Sequence, residues 1–261
     1  MNHPTISYQM KNQAAWIRLN RPEQRNALRN AEIDGLYHAM SVAIAEANCR
    51  VIVLSATGTV FCAGADLKQP PITAKKQDID AQDTHIEFSD LLRFMVEAPK
   101  PIVVAVNGSA FAGGLGLIGA ADIAISVEQA EFSFTEVRIG VIPAIISVVC
   151  LHKIGRAQGM KLFLTAERFD AHAAKEYGLI QQVVGQTELE EAVNTLVAEL
   201  SMGAPIALAE CKKLVHTISE TDLEQGMALA AKWSARLFDS DEALEGRQAF
   251  QQKRPPKWRI S

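Results

Sequence analysis

Hydrophobic and polar residues alternate near the start of the chain, over residues 5–10 and again over residues 15–19. Alternation with a period of two indicates strands, and the short polar break between these segments predicts a hairpin. Three further segments, 51–55, 101–106 and 122–127, are mainly apolar and rich in β-branched residues. Such runs are typical of strands that are buried inside a sheet. The first half of the chain is therefore predicted to contribute five strands.

Segments with helical spacing separate these strands. Apolar side chains recur every three or four positions over residues 30–47 and 86–98, which predicts a helix in each segment. Strands that alternate with helices in this way predict an α/β core, which we assign to residues 1–200. Farther along the chain the pattern is mostly helical, with one short strand at 179–184, and we assign residues 201–261 to a helical C-terminal part. The later helices are predicted over residues 144–154, 156–165, 170–177, 187–201, 204–219, 221–238 and 241–251.

Composition and charge narrow the class of protein. The chain has 261 residues, of which 48% are hydrophobic and 21% charged, and its formal net charge is −4. These values are typical of a globular protein and give no reason to expect a nucleic acid or an anionic membrane as a partner. The four cysteines are scattered and the N-terminus lacks a targeting pattern, so we expect a soluble cytoplasmic protein without a zinc site. The polar segment 69–83, which contains two prolines, is predicted to form a surface loop or an irregular helix.

One glycine motif suggests a dinucleotide site but fails on spacing. Residues 114–119 spell G-x-G-x-x-G after a predicted strand. A dinucleotide fold needs this motif to open a full crossover helix, with an acidic residue about 20 positions later. The next strand here begins near Asp122, which leaves almost no room for such a helix after Gly119. We therefore reject a nucleotide-binding interpretation of these glycines.

Two turns made of small residues are better candidates for a functional site. Residues 61–66 and 107–114 each follow a predicted strand and pass through glycine and alanine. Such residues often serve only to let a helix pack closely on a sheet. Two turns that each present a backbone N–H group could instead converge on one carbonyl oxygen and stabilise the oxyanion that forms there. The occurrence of two turns of the same kind favours this second role.

Glu136 is the candidate for proton transfer. The residues around it are apolar, namely Phe132, Phe134, Val137 and Ile139. This neighbourhood predicts partial burial, and burial raises the pKa of a carboxyl group toward the range that general base catalysis needs. Two simpler interpretations stay open, in which Glu136 is a solvated surface acid or pairs with Arg138.

These segments together resemble the enoyl-CoA hydratase/isomerase (crotonase) family. The similarity lies in residues 19–22, 25–28, 61–68, 107–114 and 134–143, and it extends over nearly the whole chain. The resemblance implies a spiral of repeated ββα units, with a helical C-terminal region that acts in trimerisation or as a lid. It also implies an acyl-CoA thioester substrate and assembly as a homotrimer or as a hexamer made of two trimers. No separate cofactor and no metal are implied, because coenzyme A is part of the substrate.

The resemblance also implies roles for individual residues. The backbone N–H groups of Ala65 and Gly113 would hold the thioester oxygen, and Glu136 would match the family's second catalytic glutamate. Lys253 and Lys257 in the tail would reach phosphate groups of coenzyme A, sometimes across a subunit boundary, unless they belong to a solvated chain end. The channel for coenzyme A would be lined by Arg25, Ala27, Ala63, Gly64, Ala65, Asp66, Leu67 and Lys68.

Gly116 is the main departure from the family pattern. Typical hydratases carry their first catalytic glutamate at this position of the acyl-CoA site, and the sequence does not show what fills the space in its place. Three interpretations follow: a single-glutamate hydratase, a Δ3,Δ2-enoyl-CoA isomerase, or an acyl-CoA-binding protein without catalysis. We favour the hydratase, nearest to the methylglutaconyl-CoA hydratase type and acting on a branched or methylglutaconyl-like 2-enoyl-CoA.

Overall fold

The computed structural model of the chain describes residues 3–68 and 85–259, and the loop predicted at 69–83 lies outside this described part. In the described ranges ten strands and nine α-helices follow one another. The strands are β1 (Ile6–Lys11), β2 (Ala14–Leu19), β3 (Val51–Ala56), β4 (Val60–Cys62), β5 (Ile102–Val106), β6 (Ser109–Phe111), β7 (Ile123–Val127), β8 (Glu131–Ser133), β9 (Phe169–Asp170) and β10 (Gln182–Val184). The helices are α1 (Asn30–Ala45), α2 (Phe88–Glu97), α3 (Gly113–Ala120), α4 (Ala144–Thr165), α5 (Ala171–Glu176), α6 (Leu189–Met202), α7 (Pro205–Ile218), α8 (Leu223–Phe238) and α9 (Asp241–Gln251).

The larger sheet contains six strands in the order β1-β2-β3-β5-β7-β10. β1 and β2 form the predicted hairpin, in which Tyr8 lies opposite Ile17. The other neighbouring strands of this sheet run parallel. Every residue of β3 and β5 is buried, as expected for continuous apolar runs. The prediction of buried strands in an α/β core is therefore confirmed.

A second, smaller sheet is absent from the sequence prediction. It contains four strands in the order β4-β6-β8-β9, each only two or three residues long. Segments of this length are too short to display either alternation or a sustained apolar run. β4, β6 and β8 each follow a strand of the larger sheet and precede a helix, which gives the units β3-β4-α2, β5-β6-α3 and β7-β8-α4. The expected repetition of ββα units is thus confirmed.

The chain passes from the larger to the smaller sheet at Asn107 and Gly108. Asn107 Oδ1 accepts a hydrogen bond from Ala56 N (3.1 Å), and Asn107 Nδ2 donates to Gly58 O (2.9 Å). A Cβ atom on Gly108 would lie 2.1 Å from the carbonyl oxygen of Thr59. A larger residue would therefore displace the backbone at this crossing. These contacts fix the course of β6 and hence the place where α3 begins.

The predicted helices after residue 143 are all present. α4 has a non-helical residue at Gly155 (φ 72°, ψ 166°), where the sequence predicts a break between two helices. The strand predicted at 179–184 is shorter than expected, because only Gln182–Val184 pairs with β7. Helices α7, α8 and α9 make up the helical C-terminal part, and a domain boundary near residue 200 stays a prediction.

Two buried cations tie the C-terminal part to the larger sheet. Lys212 Nζ on α7 lies 2.7 Å from Asp122 Oδ2, directly before β7. Arg50, directly before β3, donates hydrogen bonds to Gly203 O (2.6 Å) and to Trp258 O (2.7 Å). Both anchoring points lie at the N-terminal edge of the parallel strands. The end of the described chain is therefore held at that edge.

The C-terminal helices also expose large apolar side chains. Within the described ranges, no single helix combines the length and the hydrophobicity of a membrane span, and α6 and α7 reach both only as a pair bent by 104°. Exposed apolar patches on a folded domain are typical of contact surfaces. The exposed apolar residues of α7, α8 and α9 include Val215, Leu223, Met227, Phe238, Leu244 and Phe250.

Candidate active site

The two turns made of small residues touch each other. Gly64 has a φ of +87°, and a Cβ atom on it would lie 2.9 Å from Ala112 Cβ, 3.1 Å from Phe111 O and 3.3 Å from Gly113 N. Glycine is the residue that allows both the positive φ and this close approach. The turn after β4 and the turn before α3 are therefore in direct contact.

The N–H group of Ala65 is free to act as a donor. Leu28 forms a parallel β-bridge with Ala65. In this bridge Leu28 N donates to Gly64 O (2.8 Å) and Leu28 O accepts from Asp66 N (3.0 Å). In a parallel bridge, the residue between the two bonded neighbours directs its own N–H and C=O away from the partner segment. Within the described ranges the N–H of Ala65 donates to no protein acceptor, and Ala65 is exposed.

Gly113 presents a second donor because it is the first residue of α3. The first N–H groups of a helix have no partner inside the helix, and Ala112 at the N-cap offers no side-chain acceptor. Ala112 has a φ of 47° and a ψ of −117°, which is unusual for a residue other than glycine. Its N–H donates to Ser133 O of β8 (3.1 Å), so that the smaller sheet holds this conformation. The strained residue thereby sets the orientation of the Gly113 N–H.

Glu136 lies close to the contact between α3 and α4. It begins a short 3-10 helix, Glu136–Ile139, three residues after the Ser133 carbonyl that binds Ala112. Burial raises the pKa of the Cys150 thiol to about 12, and the nearby charge of Glu136 adds to the rise. The same thiol donates to Leu115 O in α3 (3.4 Å). Glu136 is therefore near Cys150, at the contact between α3 and α4.

The carboxyl group of Glu136 lacks a partner on one side. Its Oε2 atom is buried and has no hydrogen-bond partner in the described part of the chain. Burial raises the pKa of this carboxyl group, and the hydrogen bond from its own N–H opposes the rise only in part. Arg138 donates to Thr165 O at the end of α4 (2.7 Å), so the alternative of a pair between Arg138 and Glu136 is wrong.

The apolar surroundings of Glu136 agree only partly with the prediction from the sequence. Phe132 and Phe134 are buried, and Phe134 packs edge-on against Phe163 of α4 (4.7 Å between ring centroids). Ile139, at the end of the 3-10 helix, is instead 55% exposed. The expected burial therefore holds for the two phenylalanines before the 3-10 helix and fails for Ile139 at its end.

Apolar side chains fill the space beside Gly116. A Cβ atom on this glycine would lie 2.5 Å from Ile146 Cγ2 and 3.3 Å from Leu92 Cδ1. Ile146 of α4 is 3% exposed, and Leu92 of α2 is buried as well. The first atom of a side chain would therefore clash, and the three atoms nearest to it are all aliphatic carbons. Gly116 lies three positions after Gly113, one turn farther along α3.

The residues expected to line a channel for coenzyme A lie along one ladder of hydrogen bonds. Ala63 N donates to Arg25 O (3.0 Å), in the same ladder in which Leu28 bonds to the turn after β4. Lys68 N donates to Asp66 Oδ1 (3.2 Å). The exposed members of this group are Arg25, Ala65, Leu67 and Lys68, and the more buried members are Ala27, Ala63, Gly64 and Asp66.

Lys253 and Lys257 lie elsewhere in the chain. Lys257 N donates to Glu245 Oε1 (3.0 Å), and the next residue, Trp258, accepts from Arg50 at the N-terminal edge of β3. The candidate site follows the C-terminal ends of the parallel strands. A six-residue strand separates the two edges by about 20 Å. Within one chain these lysines are therefore remote from the turns, and contact with coenzyme A across a subunit boundary stays a prediction.

Sequence reasoning missed two groups of residues at the site. Ile146 and Leu92 occupy the space beside Gly116, but nothing in a single sequence connects three positions on three helices. Glu32 and Arg21 form a buried ion pair beside the turn after β4 (3.1 Å). The sequence does indicate that Glu32 is buried, because it lies four positions before Leu36 and therefore on the apolar face of α1.

Comparisons with known proteins agree with this architecture. The sequence profile of the enoyl-CoA hydratase/isomerase family matches residues 9–260. A carnitinyl-CoA dehydratase from Proteus mirabilis is 33% identical over 216 residues, which cover 80% of this chain and 81% of the relative. A crystal structure of an enoyl-CoA hydratase from Shewanella pealeana has a TM-score of 0.88 and 30% identity, covering 98% of this chain and 96% of that one. An enoyl-CoA hydratase structure from Bacillus anthracis has a TM-score of 0.87 and 31% identity, covering 98% of this chain and 99% of that one.

An α/β fold of repeated ββα units, with a six-stranded and a four-stranded sheet, is the architecture of this class of protein. The match over almost the full length shows that the chain belongs to the enoyl-CoA hydratase/isomerase family.

Proposed function

We propose that this protein adds water across the double bond of a 2-enoyl-CoA. The N–H groups of Ala65 and Gly113 bind the thioester oxygen, and Glu136 performs both proton transfers. The observation that carries this proposal is the buried Oε2 atom of Glu136, which has no hydrogen-bond partner among the described residues and lies near the contact of α3 with α4. A carboxylate of this kind is poised to accept a proton, because burial disfavours its charged form and, among the described residues, Oε2 has no hydrogen-bond donor to stabilise that charge.

The proposed reaction has two steps that share one carboxylate. Glu136 takes a proton from a water molecule while the water oxygen bonds to the β-carbon. The electron pair of the double bond moves toward the thioester, where the two N–H groups stabilise the enolate oxygen. Glu136 then returns the proton to the α-carbon, which gives the 3-hydroxyacyl-CoA and restores the carboxylate.

The packing beside Gly116 explains why one carboxylate has both tasks. Ile146 and Leu92 occupy the place where a second acid would lie, so the acyl group meets an apolar wall on that side. Such a wall suits a hydrocarbon branch on the acyl chain better than a charged group. We therefore propose that the hydrocarbon branch of a branched, methylglutaconyl-like acyl group faces this wall, and that the protein belongs near the single-glutamate hydratases.

Double-bond isomerisation is the second candidate, and the same observation favours it. A single carboxylate can remove a proton from C2 of a 3-enoyl-CoA and return it to C4 without any water. Three of the similar proteins favour hydration by their names, because two are enoyl-CoA hydratases and one is a carnitinyl-CoA dehydratase.

Three further proposals concern the cofactor, the assembly and the location of the protein. Coenzyme A enters only as part of the substrate, so the reaction as written needs no separate cofactor or metal. The exposed apolar residues of α7, α8 and α9 support assembly into a homotrimer or a hexamer, with residues 201–261 at the contacts or over the site. We also propose that the protein acts in the cytoplasm.

Product analysis separates the candidates. We expect a 2-enoyl-CoA to give a product heavier by one water molecule, and a 3-methyl-branched 2-enoyl-CoA to react with a higher kcat/KM than its straight-chain counterpart. The matching 3-enoyl-CoA, offered in parallel, should remain unchanged. Conversion of the 3-enoyl-CoA to the 2-enoyl-CoA without hydration would establish the isomerase instead. If the protein binds both thioesters but forms no product, it is an acyl-CoA-binding protein without catalysis.

The pH dependence of the rate reports on Glu136. Burial raises the pKa of its carboxyl group, and the proposed base must be ionised. We therefore expect kcat/KM to fall as the pH drops through this raised pKa, at a pH above the value of about 4.3 for an unperturbed glutamate. A profile that stays flat down to that value would contradict a buried Glu136 as the base. The measurement is steady-state kinetics from pH 4 to pH 9. Circular dichroism at each pH checks that the protein stays folded.

A further inference from the structure

Glu32 is a buried charge on the first turn of α1. Only 1% of its surface is exposed, and it lies on the face of α1 where Leu36 and other apolar residues pack. Glu32 Oε2 accepts hydrogen bonds from Arg21 Nη1 (3.1 Å) and from N and Nε of Arg29 (3.0 Å each), and Oε1 accepts from Arg29 Nη2 (2.9 Å). Burial by itself would raise the pKa of Glu32, but the hydrogen bonds from Arg29 and Thr5 and the charge of Arg21 lower it. The side chain is therefore a carboxylate.

Arg21 connects this carboxylate to the turn after β4. Its side chain is 10% exposed, and Nη1 donates to Ala27 O (3.1 Å) in addition to Glu32. Arg21 Nη2 lies 3.6 Å from Asp66 Oδ2. Asp66 directly follows Ala65. One guanidinium group thus contacts both the segment of Ala27 and the turn that presents the Ala65 N–H.

These two segments are also joined through their backbones. Leu28 N donates to Gly64 O (2.8 Å), and Asp66 N donates to Leu28 O (3.0 Å). Leu28 follows Ala27, so Arg21 binds next to both sides of this bridge. A rotation of the bridge would turn the N–H of Ala65, because Gly64 and Asp66 flank that residue. The ion pair is therefore placed to control the direction of one donor.

We propose that Glu32 is a positioning residue for the reaction, which acts through Arg21 on the Leu28–Ala65 bridge and keeps the Ala65 N–H aimed at the thioester oxygen. This inference rests on the proposed function, because that function assigns the Ala65 N–H to the oxyanion. Glu32 also has a stabilising role, because it accepts a hydrogen bond from the N-cap residue Arg29 and closes a capping box at the start of α1, so the test must separate positioning from stability. Misplacement of a catalytic group by about 1 Å can cost roughly 100-fold in rate.

The test replaces Glu32 by Gln, which keeps the shape of the side chain and removes its charge. For crotonyl-CoA we expect kcat to fall by about 10- to 100-fold and KM to change by less than about threefold. The infrared C=O stretch of bound butanoyl-CoA, labelled with ¹³C at the thioester carbonyl, is expected to move to higher frequency. The frequency rises because the hydrogen bond to that oxygen becomes weaker. A loss of stability alone would not change the frequency.

The matched control is Glu210→Gln. Glu210 is also buried, and it accepts hydrogen bonds from Trp233 Nε1 (2.7 Å) and from Arg236, but it joins α7 to α8. We expect Glu210→Gln to lower Tm, as Glu32→Gln does, without changing kcat or the C=O frequency. Asp66→Asn weakens the contact between Arg21 and the turn while Glu32 stays in place. It should lower kcat and raise the C=O frequency as Glu32→Gln does, and it decides the question if Glu32→Gln does not fold.

Two results would overturn the inference. One is a folded Glu32→Gln protein with a lower Tm but with the wild-type kcat and C=O frequency. The other is wild-type behaviour of Asp66→Asn in both measurements. A wild-type protein that does not hydrate crotonyl-CoA would contradict the proposed function instead. The C=O frequency of bound butanoyl-CoA would then still report whether Glu32 controls the donor.

Discussion

Replacement of Glu136 by Gln is expected to lower kcat by at least about 1,000-fold, near the upper part of the range for general acid–base catalysis. The physical reason is that no second acid stands beside the acyl group, where Ile146 and Leu92 fill the space next to Gly116. Both proton transfers of the proposed hydration therefore depend on the same carboxylate. Steady-state kinetics with a 2-enoyl-CoA measure the loss, and calorimetric titration with a saturated acyl-CoA should give a Kd within about threefold of the wild type, because uncharged binding contacts are retained.

The stability of Glu136→Gln is a check on this interpretation. Burial raises the pKa of Glu136 in the folded protein above its value in the unfolded chain. The folded state is therefore stabilised by protonation as the pH falls, and the ionised carboxylate destabilises it at pH 7. Since Gln carries no charge, the variant should unfold at the wild-type temperature or above it.

A control for Glu136→Gln lies nearby in the chain. Glu131 begins β8 and forms an exposed ion pair with Arg168 (2.9 Å). Glu131→Gln should leave kcat unchanged, because exposed pairs of this kind contribute little. Turnover by Glu136→Gln at the wild-type rate would remove Glu136 from the mechanism.

The sequence predicts the larger sheet well and the smaller one not at all. β3, β5 and β7 appear as mainly apolar segments because burial leaves few polar positions along them, namely Ser55 and Ser126. β4, β6 and β8 have three residues each, and their pairing depends on where the preceding strand ends, which is a property of the folded chain. The break at Gly155 is predictable, since a glycine inside a helical pattern is a local signal.

The candidate site is predictable only where its residues are contiguous. The two turns and Glu136 form short segments that resemble the family, and the structure brings the turn of Gly64 against Gly113. Partners that are distant in the sequence are not predictable in this way. Ile146, for example, contacts Gly116 although 30 positions separate them. The position of the tail at Arg50 is likewise a tertiary contact, and it places Lys257 away from the turns of its own chain.

Replacement of Gly116 by Glu is expected to cost about 5 kcal/mol of unfolding free energy or more, which approaches the total stability of many domains. A Cβ atom at this position would lie 2.5 Å from Ile146 Cγ2, so the first added atom already forces α3 and α4 apart. The carboxylate would then be buried among Ile146 and Leu92 without a cation or a hydrogen-bond donor. Denaturant unfolding of Gly116→Glu and Gly116→Ala measures the two effects separately, and overpacking alone predicts a loss of about 2 kcal/mol for the alanine variant.

A double-mutant cycle decides whether Ile146 is the cause. Ile146→Ala removes Cγ2 and leaves Ile146 Cβ, which would be 3.2 Å from the new Cβ atom. Gly116→Ala should therefore cost at least about 1 kcal/mol less in the Ile146→Ala background than in the wild type. Gly113→Ala controls for the change from glycine to alanine in α3, because its Cβ atom would meet only ordinary contacts of 3.5 and 3.6 Å. Additive costs at positions 116 and 146 would contradict the steric argument. A lower cost of Gly116→Ala in the Ile146→Ala background would mean that the single-carboxylate site depends on the packing of α4 against α3. One substitution at position 116 would then not be enough to create a two-carboxylate hydratase.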